Sequence, residues 1–122
     1  MSYTKTKILI ELKKALKEKG WNTFDNPIIT GVSGINHIFD LMIEKGKKRI
    51  YVDFGRGDIL DLLKTVAKAL DIKDKTDAEV LFIVSKNELN GLGDAAKNVK
   101  LLKILTYEKN PIEEIVDNVE QI

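Results

Sequence analysis

Apolar positions recur at helical spacing over residues 5–19, where Ile8, Leu9, Leu12, Ala15 and Leu16 share one face and Gly20 supplies a stop. Residues 21–27 read as a loop or short extended piece leading into Ile28, Ile29 and Thr30, with a turn at Gly31, Ser33 and Gly34. Residues 37–43 are dense in bulky apolar side chains and read as a strand. A turn over residues 44–48, with Gly46 inside it, leads to a second strand at 49–54, which Gly55 and Gly57 end. Helical periodicity returns over residues 58–70 with Ile59, Leu62, Leu63, Val66 and Leu70. A charged loop follows at 71–77. The nearly unbroken apolar run AEVLFIV at 78–84 is that of a strand covered on both faces. A short helix is expected within residues 89–98 and another strand at 99–106. The run Asn110-Pro111-Ile112-Glu113 has the order of a helix start, with asparagine as cap and glutamate three residues on, ahead of a stripe of Ile112, Ile115, Val116 and Val119.

The predicted order is helix, three strands, helix, strand, helix, strand, helix. Early hairpins and later crossovers imply an α/β fold whose mixed sheet carries helices on both faces. A chain of 122 residues suits one domain with a core of its own.

Composition narrows the chemistry. The absence of cysteine excludes disulfides, thiolate metal sites and a thiol nucleophile. No apolar run reaches membrane-spanning length, and residues 1–6 are polar without a signal-peptide core, so no membrane association and a cytoplasmic home are expected. A net charge of +1 gives no global basic field. The cations are clustered, however: Lys13 and Lys17 stand with other lysines on the first helix, and Lys45, Lys47, Lys48 and Arg49 crowd one turn. Each run reads first as a solvated face and second as a phosphate-binding edge, in which Lys13, Lys17, Lys47, Lys48, Arg49 and Arg56 are the candidates.

Two aspartates break the apolar strands. Alternation places Asn36, Ile38, Asp40 and Met42 on one face and His37, Phe39, Leu41 and Ile43 on the other. In the next strand Arg49, Tyr51, Asp53 and Gly55 form a polar face, on which Tyr51 could line a groove, against Ile50, Val52 and Phe54. If the hairpin turns near Lys47, Asp40 and Asp53 become neighbours. Adjacent carboxylates repel unless a cation or proton lies between them, and Mg²⁺ accepts one or two carboxylates while keeping waters. The structural alternative pairs Asp53 with Arg49 or a helix N-terminus, and Asp40 with a backbone donor. His37, the single histidine, reads as a hydrogen-bonded structural residue able to tie down the turn at Gly31–Gly34.

The stretch GVSGINHIFDL, together with Asp53-Phe54-Gly55 and the element order, resembles the PD-(D/E)xK nuclease superfamily, and within it archaeal and Mrr-like members. The resemblance implies a restriction-endonuclease-like sheet, binding to DNA or another nucleic acid, and a Mg²⁺ site. It matches Asp40 and Asp53 to the metal-binding acids and Glu11 to a further acid near the metal. The motif's lysine would fall at Gly55, so the expectation is a nuclease-like domain that has lost catalysis. The alternative is an active endonuclease whose lysine comes from the following helix, Lys64 or Lys68, with Arg56 nearby. A non-catalytic interaction module, joined to a partner by a sheet edge or the last helix, is a third possibility. A homodimer is expected.

Overall fold

The computed structural model describes residues 4–122, apart from the side chain of Asn98; residues 1–3, within the polar lead, lie outside it. Helix α1 (Lys5–Glu18) starts at Thr4, whose hydroxyl accepts from Lys7 N, and buries Ile8, Leu12 and Leu16. Five strands follow before the next helix, where the sequence pattern predicted three: β1 (Asn22–Asp25), β2 (Ile28–Thr30), β3 (Asn36–Ile38), β4 (Leu41–Lys45) and β5 (Lys48–Phe54). Helix α2 (Ile59–Ile72), capped by Asp58, leads to β6 (Glu79–Ser85), and α3 (Lys86–Leu92) with a 3-10 turn at Gly93–Asn98 leads to β7 (Lys103–Tyr107) and α4 (Pro111–Glu120).

The main sheet has the order β1-β4-β5-β6-β7; the first two pairings are antiparallel and the last two parallel. Its two faces bury separate cores. Ile50, Val52, Phe54, Leu81 and Ile83 pack against α1 and α4, while Tyr51, Val80, Phe82 and Val84 pack against α2 and Leu92 of α3. The fold is a mixed α/β sheet with helices on both sides, as the hydrophobic pattern required. No helix among the described residues is long and apolar enough to cross a membrane.

Three local expectations are corrected. The extended piece before Pro27 is an edge strand of the main sheet, pairing Asn22 to Asp25 with β4. The single strand expected at 37–43 is two: β3 pairs with β2 in a separate two-stranded ribbon, and β4 joins the main sheet. The chain changes sheets at Phe39 and Asp40, because Phe39 is drawn into the core beside Tyr51, their ring centroids 4.9 Å apart. At the last helix the capping acceptor is Glu114, which receives Glu108 N and Asn110 N, rather than Glu113.

Candidate active site

β4 and β5 pair with Lys45 opposite Lys48 and Leu41 opposite Val52. One more step of that register sets Asp40 against Asp53, at the carboxyl end of β5. This is where ligands collect in sheets with parallel strands. Asp40 N–H donates to Asp53 Oδ1 at 3.0 Å and also lies 3.1 Å from Val52 O; in return Phe54 N–H donates to Asp40 Oδ2 at 2.8 Å. Each aspartate therefore fixes the other's strand as well as its own position. Both line a pocket of about 170 Å³, together with Lys5, Lys64, Thr65 and Lys68.

Asp53 does not face solvent as its strand's alternation suggested. Helix α2 covers that face, leaving Asp53 7% exposed. Burying a carboxylate is costly unless it is paired and hydrogen-bonded, and α2 supplies both partners. Thr65 Oγ1 donates to Asp53 Oδ2 at 2.7 Å, and Lys68 Nζ lies 2.5 Å from the same oxygen. Lys68 Nζ also donates to Ile38 O at 2.7 Å and sits 4.3 Å from the centroid of the Phe39 ring. Three groups thus hold one ammonium, at the point where the chain changes sheets. Asp40 has its own cation, Lys5 Nζ, 3.0 Å from Oδ2.

The position where the motif's lysine would fall is closed. A Cβ at Gly55 would lie 2.2 Å from Phe82 Cζ and 2.7 Å from Val84 Cγ1, while Gly55 N–H is bonded to Ile83 O across the sheet. A side chain at 55 would have to displace Phe82 and Val84, so the cation at Asp53 comes from elsewhere, and Lys68 of α2 is there.

The other candidate residues are distributed as follows. Lys64 lines the same pocket but is exposed at its rim; Lys68 is the lysine at the carboxylate. Glu11 is not among the residues lining the pocket, and it forms no metal-holding group with Asp40 and Asp53 among the described residues. Helix α1 packs on the opposite sheet face, and only its first turn, at Lys5, reaches round to Asp40. Glu11 Oε2 is buried with no hydrogen-bond partner among the described residues. Arg49 pairs with Glu44 at 2.7 Å rather than with Asp53. Tyr51 is buried in the α2-side core and lines no groove. The basic turn lies at the far end of β4 and β5 from the aspartates, and its cations are largely engaged: Lys45 with Glu120, Lys48 with Ile122 O, Arg49 with Glu44. Lys13 is bonded to Asp25 at 2.9 Å, and Lys17 borders a shallow surface beside Trp21. Arg56 stands at the pocket end, with Nε 3.8 Å from Asp61.

Lys5, Thr65 and the Asp71 cluster were not singled out from the sequence. The signal for Thr65 was present: Asp61, Thr65 and Lys68 fall at i, i+4 and i+7, one polar flank of α2 beside its apolar stripe. Asp71, read as loop, is in the last turn of α2. Its Oδ2 meets His37 Nε2 at 2.6 Å and Ser33 Oγ at 2.6 Å, and Oδ1 accepts from Ser33 N at 3.0 Å. These bonds from Ser33 first, and then from His37, hold the Asp71 carboxyl below its ordinary pKa. His37 is structural, and it ties down the turn through Asp71. Gly31 is required there, since a Cβ would lie 1.9 Å from Asp71 Oδ2.

The donor set can be tested against a divalent ion. Among the described residues no group of three His, Cys, Asp or Glu side chains could hold a metal. Two carboxylates do converge on the pocket, which meets the minimum for a Mg²⁺ that keeps several waters. Asp40 Oδ1 carries none of the bonds described, and Lys5, whose side chain is 40% exposed, can swing away from Oδ2. The residues fit Mg²⁺ in that limited sense.

No protein-family model matches the sequence, and no curated protein matches it. Among solved structures, a crystal structure described as "Protein of Unknown Function AF1548" superposes with a TM-score of 0.56 at 16% identity, over 93% of this chain and 66% of that one. The chain thus spans about two thirds of that protein, and the likeness is one of α/β fold.

Proposed function

We propose that this chain is a nuclease-like domain that binds nucleic acid at the Asp40–Asp53 pocket and hydrolyses phosphodiester bonds with Mg²⁺. The observation that carries the reading is the ammonium of Lys68, 2.5 Å from Asp53 Oδ2, contributed by α2 where residue 55 is a glycine crowded by Phe82. Asp40 and Asp53 would hold the ion, which when bound supplies Lewis acidity and a more acidic water. Lys68 keeps a fixed positive charge beside the reacting position, suited to orienting a water or meeting a phosphate oxygen. Thr65 holds the Asp53 carboxylate in one rotamer. Lys64 and Arg56, exposed at the same end, suit contact with the flanking phosphates.

A second reading, a binding domain without cleavage, is favoured by one observation: each aspartate already has a lysine partner, Lys5 for Asp40 and Lys68 for Asp53. Both readings are tested by Mg²⁺- and Mn²⁺-dependent cleavage of duplex, branched and single-stranded DNA by the wild type, Asp40→Asn, Asp53→Asn and Lys68→Ala. Cleavage lost in all three variants is the expected result. Salt-sensitive binding without cleavage supports the second reading. Neither binding nor cleavage sinks both and leaves an interaction module.

A further inference from the structure

Residues 27–39, PIITGVSGINHIF, make up the β2–β3 ribbon and its turn, and contain no Asp, Glu, Lys or Arg in a chain that is 32% charged. Alternation turns Ile29 and His37 inward, toward α2, and Ile28, Thr30, Asn36 and Ile38 outward. Ile28 and Ile38 are a direct cross-strand pair, 65% and 55% exposed, and Val32 and Ile35 in the turn are 63% and 59% exposed. The ribbon is not loose. Asp71 clamps its turn through Ser33, His37 and Val32 N–H, and Lys68 bonds the carbonyl of Ile38 at its other end. Together the four side chains expose roughly 400 Å² of aliphatic surface, within the range where the largest patch on a monomer is often functional.

We infer that this ribbon face is a self-association surface, occupied by the same face of a second copy about a two-fold axis. An isologous contact sets each residue against the same surface of its partner, so a patch of one charge would repel itself and a charge-free patch does not. Nucleic acid is a poor occupant, because nothing on the ribbon carries a fixed positive charge to meet phosphate. Two such ribbons stack at ordinary sheet spacing, with the Ile28–Ile38 pairs at the centre and Thr30 and Asn36 beside them. The patch is about half of the ~800 Å² that a standard interface takes from each partner, so the dimer is weak. Ile38 also lines the wall of the Asp40–Asp53 pocket, so the contact lies beside that site, but the inference uses none of the chemistry proposed there.

Sedimentation equilibrium of the wild type, from about ten micromolar to about one millimolar, should show the mass rising from 13.8 kDa toward twice that value. The double variant Ile28→Lys/Ile35→Lys should stay monomeric throughout, with its thermal melt checking the fold. Leu63→Lys/Leu70→Lys, on the exposed side of α2, should dimerise as the wild type does. The chain has no cysteine, so Ile38→Cys gives a single thiol that should form a disulfide-linked dimer on mild oxidation, a readout that survives if the lysine variant fails to fold. A wild type monomeric at the highest concentration, association that persists in a folded ribbon variant, association lost only in the α2 variant, or an Ile38→Cys variant that does not cross-link would each overturn the assignment.

Discussion

The ammonium of Lys68 lies 2.5 Å from Asp53 Oδ2, bridging a helix and the strand it covers. The pair is nearly enclosed, with side-chain exposures of 18% and 10%, so removing one partner strands a charge rather than freeing it. Lys68→Ala should destabilise the fold by about 2–3 kcal/mol, reduced from the fully buried value because some solvent reaches the pair. It should lower cleavage by about 10²- to 10⁴-fold, whereas Lys64→Ala, at the rim, should change stability little. Urea unfolding and single-turnover rates of the two variants check this. Equal effects in both would mean that Lys68 has no special place.

Gly55 and Phe82 make the complementary prediction. With a built Cβ 2.2 Å from the Phe82 ring, Gly55→Ala should cost about 1–3 kcal/mol and lower the melting temperature by several degrees. Gly55→Lys, which restores the motif on paper, should unfold the site rather than activate it. Phe82→Leu should recover part of the Gly55→Ala loss in the double variant, a coupling that independent sites would not show.

The Asp71 clamp predicts an acid-dependent stability. Its carboxyl has a lower pKa folded than unfolded, so the folded state binds fewer protons. The stabilisation is therefore complete above the ordinary carboxylate pKa and is lost as pH falls through the lowered folded value. The stability gap between wild type and Asp71→Asn should be widest near neutrality and should narrow below about pH 4. Urea midpoints across that range measure it; a gap that does not change with pH would separate the clamp from the carboxylate's charge.

Phosphate contacts should concentrate at the pocket end. Replacing Arg56 and Lys64 with alanine should lower the salt dependence of DNA affinity, with the log–log slope falling by about 1–2. Replacing Lys48 and Arg49 should leave it nearly unchanged, because those cations are committed to Ile122 O and Glu44. The reverse pattern in titrations at two salt concentrations would move the binding surface to the basic turn.

The sheet and its helices were legible because most of their information is local. The apolar run of β6 and the glycine-bearing turn before β5 each point one way, and the hairpin register brought Asp40 beside Asp53, whereas the stripe read for α2 located the helix but not its buried face, which is Leu62, Thr65, Ala69 and Ile72, with Ile59, Leu63 and Leu70 exposed. What failed was long-range. An apolar run such as HIFDLMI has no mark for a change of sheets, since either sheet buries its alternate residues; Phe39, pulled toward Tyr51, decides it. Lys5 and Thr65, 35 and 12 residues from the aspartates they meet, were equally hidden; Lys68 was named only as an alternative to Lys64, because one lysine of a helix looks like another until the strand beneath is placed. The expected loss of the lysine rested on position 55 alone, and the crowding by Phe82 that empties it comes from a neighbouring strand.

The most direct measurement is the location of Mn²⁺ by anomalous diffraction in crystals soaked with the ion. The proposal predicts a peak shared by Asp40 and Asp53, with the Lys5 side chain turned away and Lys68 still at the pocket. Mn²⁺ absent at saturating concentration, with Lys5 and Lys68 both still bonded to the aspartates, would contradict a metal-dependent site.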